Sequence, residues 1–195
     1  MIDWIGPTHP VGVTPEDQLT VDLLDPAAGA DASLVDALCA LINDVYAVAE
    51  AGLWRDGATR TSADELRGLI AAGEILVASA PERGIVGSVR LHDVDTDTSE
   101  FGILVAAPDQ RDLGIGRALL DEVERRSRDR DLAAVQLELL VPREWIHPSK
   151  EFLTAWYGRR GYRLVRTTTI DGTYPHLAPL LETPCDLQIH RKELR

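Results

Sequence analysis

Gly114 and Gly116 stand one residue apart in the stretch QRDLGIGRALL (residues 110–120), between an arginine and a run that reads as the start of a helix. No other feature limits the fold so closely, because glycine inside a helix costs roughly 1 kcal/mol relative to alanine. Two readings compete. One is a sharp turn into a helix. The other is an anion cradle: without Cβ atoms, successive backbone N–H groups can face one centre and a phosphate can come close. The helix N-terminus behind them adds unpaired donors and partial positive charge. Arg111 and Arg117 bracket the turn and would add charge-assisted bonds.

The flanking pattern decides between them. LTVDLL (19–24) alternates as a short strand, and Leu34, Leu38, Leu41, Val45 and Val48 recur at helical spacing between Ala32 and the stop at Gly52. A short helix follows in TSADELRGLIAAG, capped by Thr61 or Ser62 and ended by Gly73. Strands are expected at EILVASA, GIVGSVRLHDV and EFGILVA, with polar DTDTS as a loop before the last. After the glycine turn come a helix from about Ile115 to Arg130, a central strand AAVQLELLV, a helix from Ser149 to Arg160, a strand from Tyr162 to Ile170 and a short strand from Asp186 to His190. The order β-α-α-β-β-β-α-β-α-β-β describes one α/β domain, a mixed sheet with helices on its faces, over residues 19–195. Residues 1–18, rich in Pro and Gly, read as an arm.

Several chemistries are excluded by pattern. No G-x-x-x-x-G-K-[ST] occurs, and the dinucleotide G-x-G-x-x-G fails at Leu119. There is no G-x-S-x-G elbow. Cys39 and Cys185 are too few for a disulfide framework or a thiolate zinc site. The chain has no run of 18 consecutive apolar residues and no basic n-region before an apolar stretch, so neither a membrane span nor a signal peptide is expected, and a reducing cytoplasm fits. Broad basic faces are absent too, which argues against nucleic acid as partner.

What remains resembles the GNAT superfamily of acyl-CoA-dependent N-acyltransferases. Arg111-Asp112-Leu113-Gly114-Ile115-Gly116 matches its Q/R-x-x-G-x-G/A signature, and FLTAWYGRRGYRLV resembles its penultimate helix, with Tyr157, Gly161 and Tyr162 in the Tyr-x-x-x-Gly-aromatic pattern. The resemblance is specific over about residues 74–170. It implies a mostly antiparallel sheet whose fourth and fifth strands splay, with acetyl-CoA as co-substrate and no metal. The backbone of Leu113, Gly114, Ile115, Gly116 and Arg117 would hold the pyrophosphate, with Arg111 auxiliary. Ile103, Leu104 and Val105 in a bulged fourth strand would contact the pantetheine and the acyl carbonyl. Tyr157 would serve as general acid to the leaving thiolate and Glu100 as general base, with His92, Asp93 and His147 as competitors for the base. The chain departs from the family at Lys150 and Leu153, where many members carry Asn and Ala; Ser149 is the substitute contact to pantetheine.

By the same resemblance the acceptor pocket is built from GLWRDGATRT (52–61) and DGTYPHLAPLLET (171–183), so Trp54, Arg55, Tyr174 and His176 are candidates for its wall, with His92 nearby. Trp145 is placed to cover pantetheine. Charge adds a further expectation. Nineteen acidic against five basic residues precede Gln110, whereas 13 against 15 follow. The acidic half suits a cationic small-molecule amine, the other half a phosphorylated coenzyme. A non-catalytic acyl-CoA-binding module and an acetyltransferase of protein N-termini or lysines are the alternatives, and assembly as a homodimer is left open.

Overall fold

Asp31 starts the first long helix by accepting from the N–H groups of Ser33 (3.0 Å) and Leu34 (3.2 Å), which satisfies donors that a helix end otherwise leaves unpaired. In the computed structural model, which describes residues 19–195, strand β1 (Thr20–Leu23) precedes this helix, α1 (Ala32–Ala49). The arm expected at residues 1–18 lies outside the described residues. By length and composition α1 is apolar enough to cross a bilayer, but its inward stripe, Val35, Leu38 and Ile42, packs on the sheet. Gly52, at φ +82°, follows its end. Ser62 caps α2 (Ala63–Ala71) by accepting from Glu65 N–H at 3.2 Å.

The remaining elements are β2 (Ile75–Ala80), β3 (Gly84–Asp93), β4 (Thr98–Ala106), α3 (Ile115–Asp129), β5 (Ala134–Pro142), α4 (Pro148–Arg159), β6 (Arg163–Thr169), α5 (Ile170–Thr173) and β7 (Cys185–Glu193). Seven strands form one sheet in the order β1-β2-β3-β4-β5-β7-β6, antiparallel throughout except for the parallel pair β4–β5. This is the expected mixed sheet, with helices on both faces. One face carries α3 and α4 over a core of Leu76, Val89, Phe101, Leu119, Leu137 and Tyr157. The opposite face carries α1 and α2 over Ile75, Val77, Ile103 and Val105.

Three boundaries differ from those expected. The last strand is nine residues long rather than five, because it pairs along the whole of β5 on one side and with β6 on the other. The strand before the glycine turn begins at Thr98, inside the stretch expected as loop; Thr98 and Ser99 are buried, and Ser99 shares a 2.7 Å hydroxyl contact with Ser127 of α3. The connection after β6 contains a one-turn helix, α5.

Two departures from regular pairing shape the centre. β4 and β5 pair only from Thr98↔Ala134 to Phe101↔Leu137, although both strands run several residues further. Just beyond the last pair, Ile103 takes φ +50°, and Ile103 and Leu104 together oppose the single residue Val89 of β3. That is a β-bulge. It turns Ile103 and Val105 toward α1 and α2, while Phe101 stays with α3 and α4.

α3 lies close on the sheet at Gly87 of β3. A Cβ there would stand 2.5 Å from Ile115 Cγ2 and 2.7 Å from the Val105 carbonyl oxygen. The Gly87→Ala variant is therefore expected to lose about 1–3 kcal/mol in urea unfolding through overpacking. Wild-type stability would show that α3 can shift without cost.

Candidate active site

The side expected to take the coenzyme begins where β4 ends. The chain passes through a 3₁₀ turn (Pro108–Leu113), takes Gly114 at φ +67° and ψ 26°, and enters α3 at Ile115. Gly114 is thus required by its left-handed backbone. Gly116 has no such requirement, and a Cβ on it would only reach ordinary contact with Leu104 and Trp156, 3.9 Å away. No side chain caps α3. The bare N-terminus of a 15-residue helix, fronted by a residue without a side chain, fits a phosphate group. Arg117 is exposed there, Leu113 is half-buried and Ile115 is core; the Arg111 side chain lies outside the described residues.

Tyr157 stands on α4 against the sheet. It is buried, with ring centroids 5.8 Å from Phe101, 5.8 Å from Tyr162 and 4.9 Å from Trp156. Burial, and to a lesser degree Tyr46 nearby, hold its phenol far above the ordinary tyrosine range. The group stays protonated at neutral pH, so its O–H is available as a donor.

On the α1–α2 face, a band of polar side chains crosses the sheet where apolar packing would be ordinary. Arg90 donates to Glu74 (2.7 Å). Gln136 donates to Glu100 (2.7 Å), and His92 Nε2 stands 3.9 Å from the same carboxylate. The Tyr174 hydroxyl donates to Glu138 at 2.6 Å. Burial pushes the Glu100 carboxyl above its usual range, and Glu138 adds to this against the Gln136 bond. Burial and the Arg90 charge push His92 down, so its imidazole is neutral at pH 7, and among the described residues its buried Nδ1 has no hydrogen-bond partner. Of the competing bases, Asp93 is exposed and paired with Arg130 (3.0 Å), and buried His147 stacks on Trp145 (5.2 Å).

The two loops expected as acceptor wall are joined to each other. Arg55 N–H donates to the Leu180 carbonyl and Glu182 N–H to that of Leu53, both at 2.9 Å, with Trp54 and Leu181 bridging between them. Arg55 Nε adds a bond to the Leu181 carbonyl. Tyr174 faces Glu138, and exposed His176 lies edge-on to it at 6.4 Å. Trp145 is turned to this roof, against Gly52 and Thr183. A buried ion pair ties the roof to α4: Lys150 Nζ lies 2.5 Å from one oxygen of Glu50, and the Trp54 indole N–H donates to the other (2.6 Å). Lys150 therefore does not replace an asparagine contact in kind; Ser149 beside it is half-buried.

Sequence reading missed Glu50, Gln136, Glu138, Tyr46 and Arg60. The signal for two of them was present. Gln136 and Glu138 alternate within the apolar run of β5, so one face of a central strand was polar.

A sheet parted at its only parallel pair, with a bare helix N-terminus on one side and a roofed polar band on the other, defines a class of coenzyme-binding transferase. The acetyltransferase (GNAT) family matches residues 39–162, and the chain belongs to it. It is an acetyl-CoA-dependent N-acetyltransferase by that membership. Among curated proteins, none matches the chain. Solved structures share the fold. PaiA N-acetyltransferase from Thermoplasma acidophilum, in complex with coenzyme A, has a TM-score of 0.65 at 15% identity over 90% of this chain and 99% of its own. The yncA protein of Salmonella typhimurium, with its cofactor acetyl-CoA, has 0.60 at 17% over 91% and 95%. Ard1 from Thermoplasma volcanium has 0.63 at 12% over 91% and 98%.

A branched side chain at Gly116 would fill the space before α3. Gly116→Val is expected to raise the acetyl-CoA Kd by about tenfold or more in calorimetry, with the circular dichroism spectrum retained. Unchanged affinity would leave that glycine as part of the turn alone.

Proposed function

We propose that the chain acetylates a small cationic primary amine by direct attack within the cleft between β4 and β5. One observation carries the choice of acceptor: Glu100 and Glu138 are half-buried on the acceptor face, and the bonds each accepts come from neutral donors, Gln136 and Tyr174. The neighbouring Glu74 and Glu50, by contrast, have their own cations. Two carboxylates without a basic partner attract an ammonium.

Acetyl-CoA supplies the activated carbonyl. The α3 N-terminus with Gly114 and Gly116 binds its pyrophosphate, and the backbone of Ile103–Val105, freed from a partner across the cleft, orients the acyl arm. Glu100 takes the proton from the incoming ammonium; its raised pKa makes it a better base than an ordinary carboxylate. Tyr157 donates a hydrogen bond to the departing sulfur. Full proton loss from so weakly acidic a phenol to a thiolate of pKa near 8.5 would be uphill, so its contribution is stabilising and modest. Both cysteines are free thiols, in keeping with the cytoplasm.

Coenzyme A release on a panel of amines tests the activity itself; binding of acetyl-CoA without release would favour the binding-module alternative. Tyr157→Phe should lower kcat with little change in acetyl-CoA affinity. Glu100→Gln should lower kcat/KM by about 10²–10⁴-fold. It should also remove the rise of kcat/KM with pH through the raised carboxyl pKa, since only the deprotonated form is a base. A retained limb would assign the base elsewhere. The KM for a cationic acceptor should increase between low and moderate ionic strength, because the screening length falls to about 10 Å at 0.1 M. A salt-independent KM would detach the acidic groups from acceptor binding.

A further inference from the structure

On the reading that this cleft acetylates a small amine, we propose that the acceptor is an amino acid with a basic side chain, whose carboxylate is held by Arg60.

Arg60 is placed with care by its surroundings. Asn43 of α1 accepts from the N–H groups of Arg60 (2.8 Å) and Thr61 (3.1 Å) and donates to the Thr61 carbonyl (3.0 Å), so the α1–α2 loop is fixed where Arg60 leaves it. The guanidinium lies over the Tyr46 ring, 5.2 Å from its centroid. Tyr46 in turn is an electrostatic neighbour of Tyr157, and Arg60 is one of Tyr174. The cation thus lies over Tyr46, whose field reaches Tyr157, and its own charge reaches Tyr174 of the Tyr174–Glu138 pair.

Yet it has no anionic partner of its own. Among the described residues no carboxylate comes within 4.0 Å of the half-buried Arg60 guanidinium. Glu50 and Glu65 act on it from further away. Glu50 has both oxygens engaged by Lys150 and Trp54, and Glu65 accepts from the Thr61 hydroxyl (3.0 Å). A guanidinium cannot shed its charge and presents a planar fork of donors that matches a carboxylate. A fork held in place by the chain and left without a carboxylate of that chain is matched by one carried on a ligand.

The charges count the rest of the ligand. Arg60 acts on Tyr174, whose hydroxyl bonds to Glu138, and Glu138 in turn acts on Glu100; among the described residues these two carboxylates offer negative charge without a basic partner. The complement of one cation and two anions is one carboxylate and two basic groups. A simple diamine would satisfy the carboxylates but meet Arg60 with like charge. An acidic amino acid would meet Glu138 in the same way.

The test compares L-lysine, L-lysine amide, 1,5-diaminopentane, glycine and L-glutamate as acceptors by coenzyme A release. Lysine is expected to exceed its amide and the diamine in kcat/KM by about 10- to 100-fold, the range of a charge-assisted bond, and to exceed glycine and glutamate. In Arg60→Gln the ratio of lysine to lysine amide should fall toward one, with acetyl-CoA affinity reporting that the protein is folded. Because the amide comparison is made on the wild-type protein, it stands even if the variant does not fold. An amide as good as lysine, or a preference that survives in folded Arg60→Gln, would overturn the role of Arg60; glycine or glutamate equal to lysine would overturn the basic side chain. Acetylation of other amines without carboxylate preference refutes this inference alone, whereas no release with any amine refutes the cleft reading beneath it.

Discussion

A β-branched residue with positive φ is an uncommon way to build a core strand, and Ile103 at +50° is one. The left-handed region costs an L-residue roughly 1–2 kcal/mol, so the surrounding structure must hold it there. The extra residue switches the faces of β4 midway, sending Phe101 to one core and Ile103 and Val105 to the other. It also coincides with the parting from β5. Without the switch, Ile103 would stay with Phe101 on the α3–α4 face, the core over α1 would lose it, and the ladder would have no reason to open there. The face switch of β4 and the end of its ladder with β5 thus meet at this one irregular step.

Energetically the two sides of the cleft are unlike. The proposed coenzyme side relies on backbone: a glycine in the left-handed region, an uncapped helix and a close helix–sheet approach at Gly87. The proposed acceptor side relies on side chains that a purely structural sheet would not bury. Glu74–Arg90 and Glu50–Lys150 are self-contained, but Glu100 and Glu138 are not. Burying a carboxylate without a counter-charge is unfavourable, and burial pushes the Glu100 carboxyl above its usual range.

Much of this was legible from residues alone. The 3.6-residue stripe of α1, the Ser62 cap and the glycine turn all report local physics, and the structure places each expected element within a few residues of its expected position. The roof was legible only as two separate loops, since their pairing joins residues 53–55 with 180–182 and no local pattern encodes it. The same holds for Lys150, whose sequence neighbourhood reads as an exposed helix start; its partner lies one hundred residues earlier. Arg60 sits in a polar loop, where an arginine is ordinarily solvated, and only Asn43 and Tyr46 reveal that it is held. The length of β7 followed from pairing with two neighbours at once, a tertiary effect that overrides weak local signals.

The Glu50–Lys150 pair has a consequence for how such a chain can diverge. Removing one member of a buried ion pair costs about 3–5 kcal/mol, while replacing both with well-packed apolar residues is often neutral. A lineage carrying the pair cannot leave it one substitution at a time without passing through a poorly folded protein. The two positions, one just past the end of α1 and the other in α4, are thus evolutionarily coupled. Since Glu50 also holds Trp54, the roof over the acceptor inherits that coupling. Descendants should keep glutamate and lysine together or lose them together, with Trp54 freed to change only where both have gone.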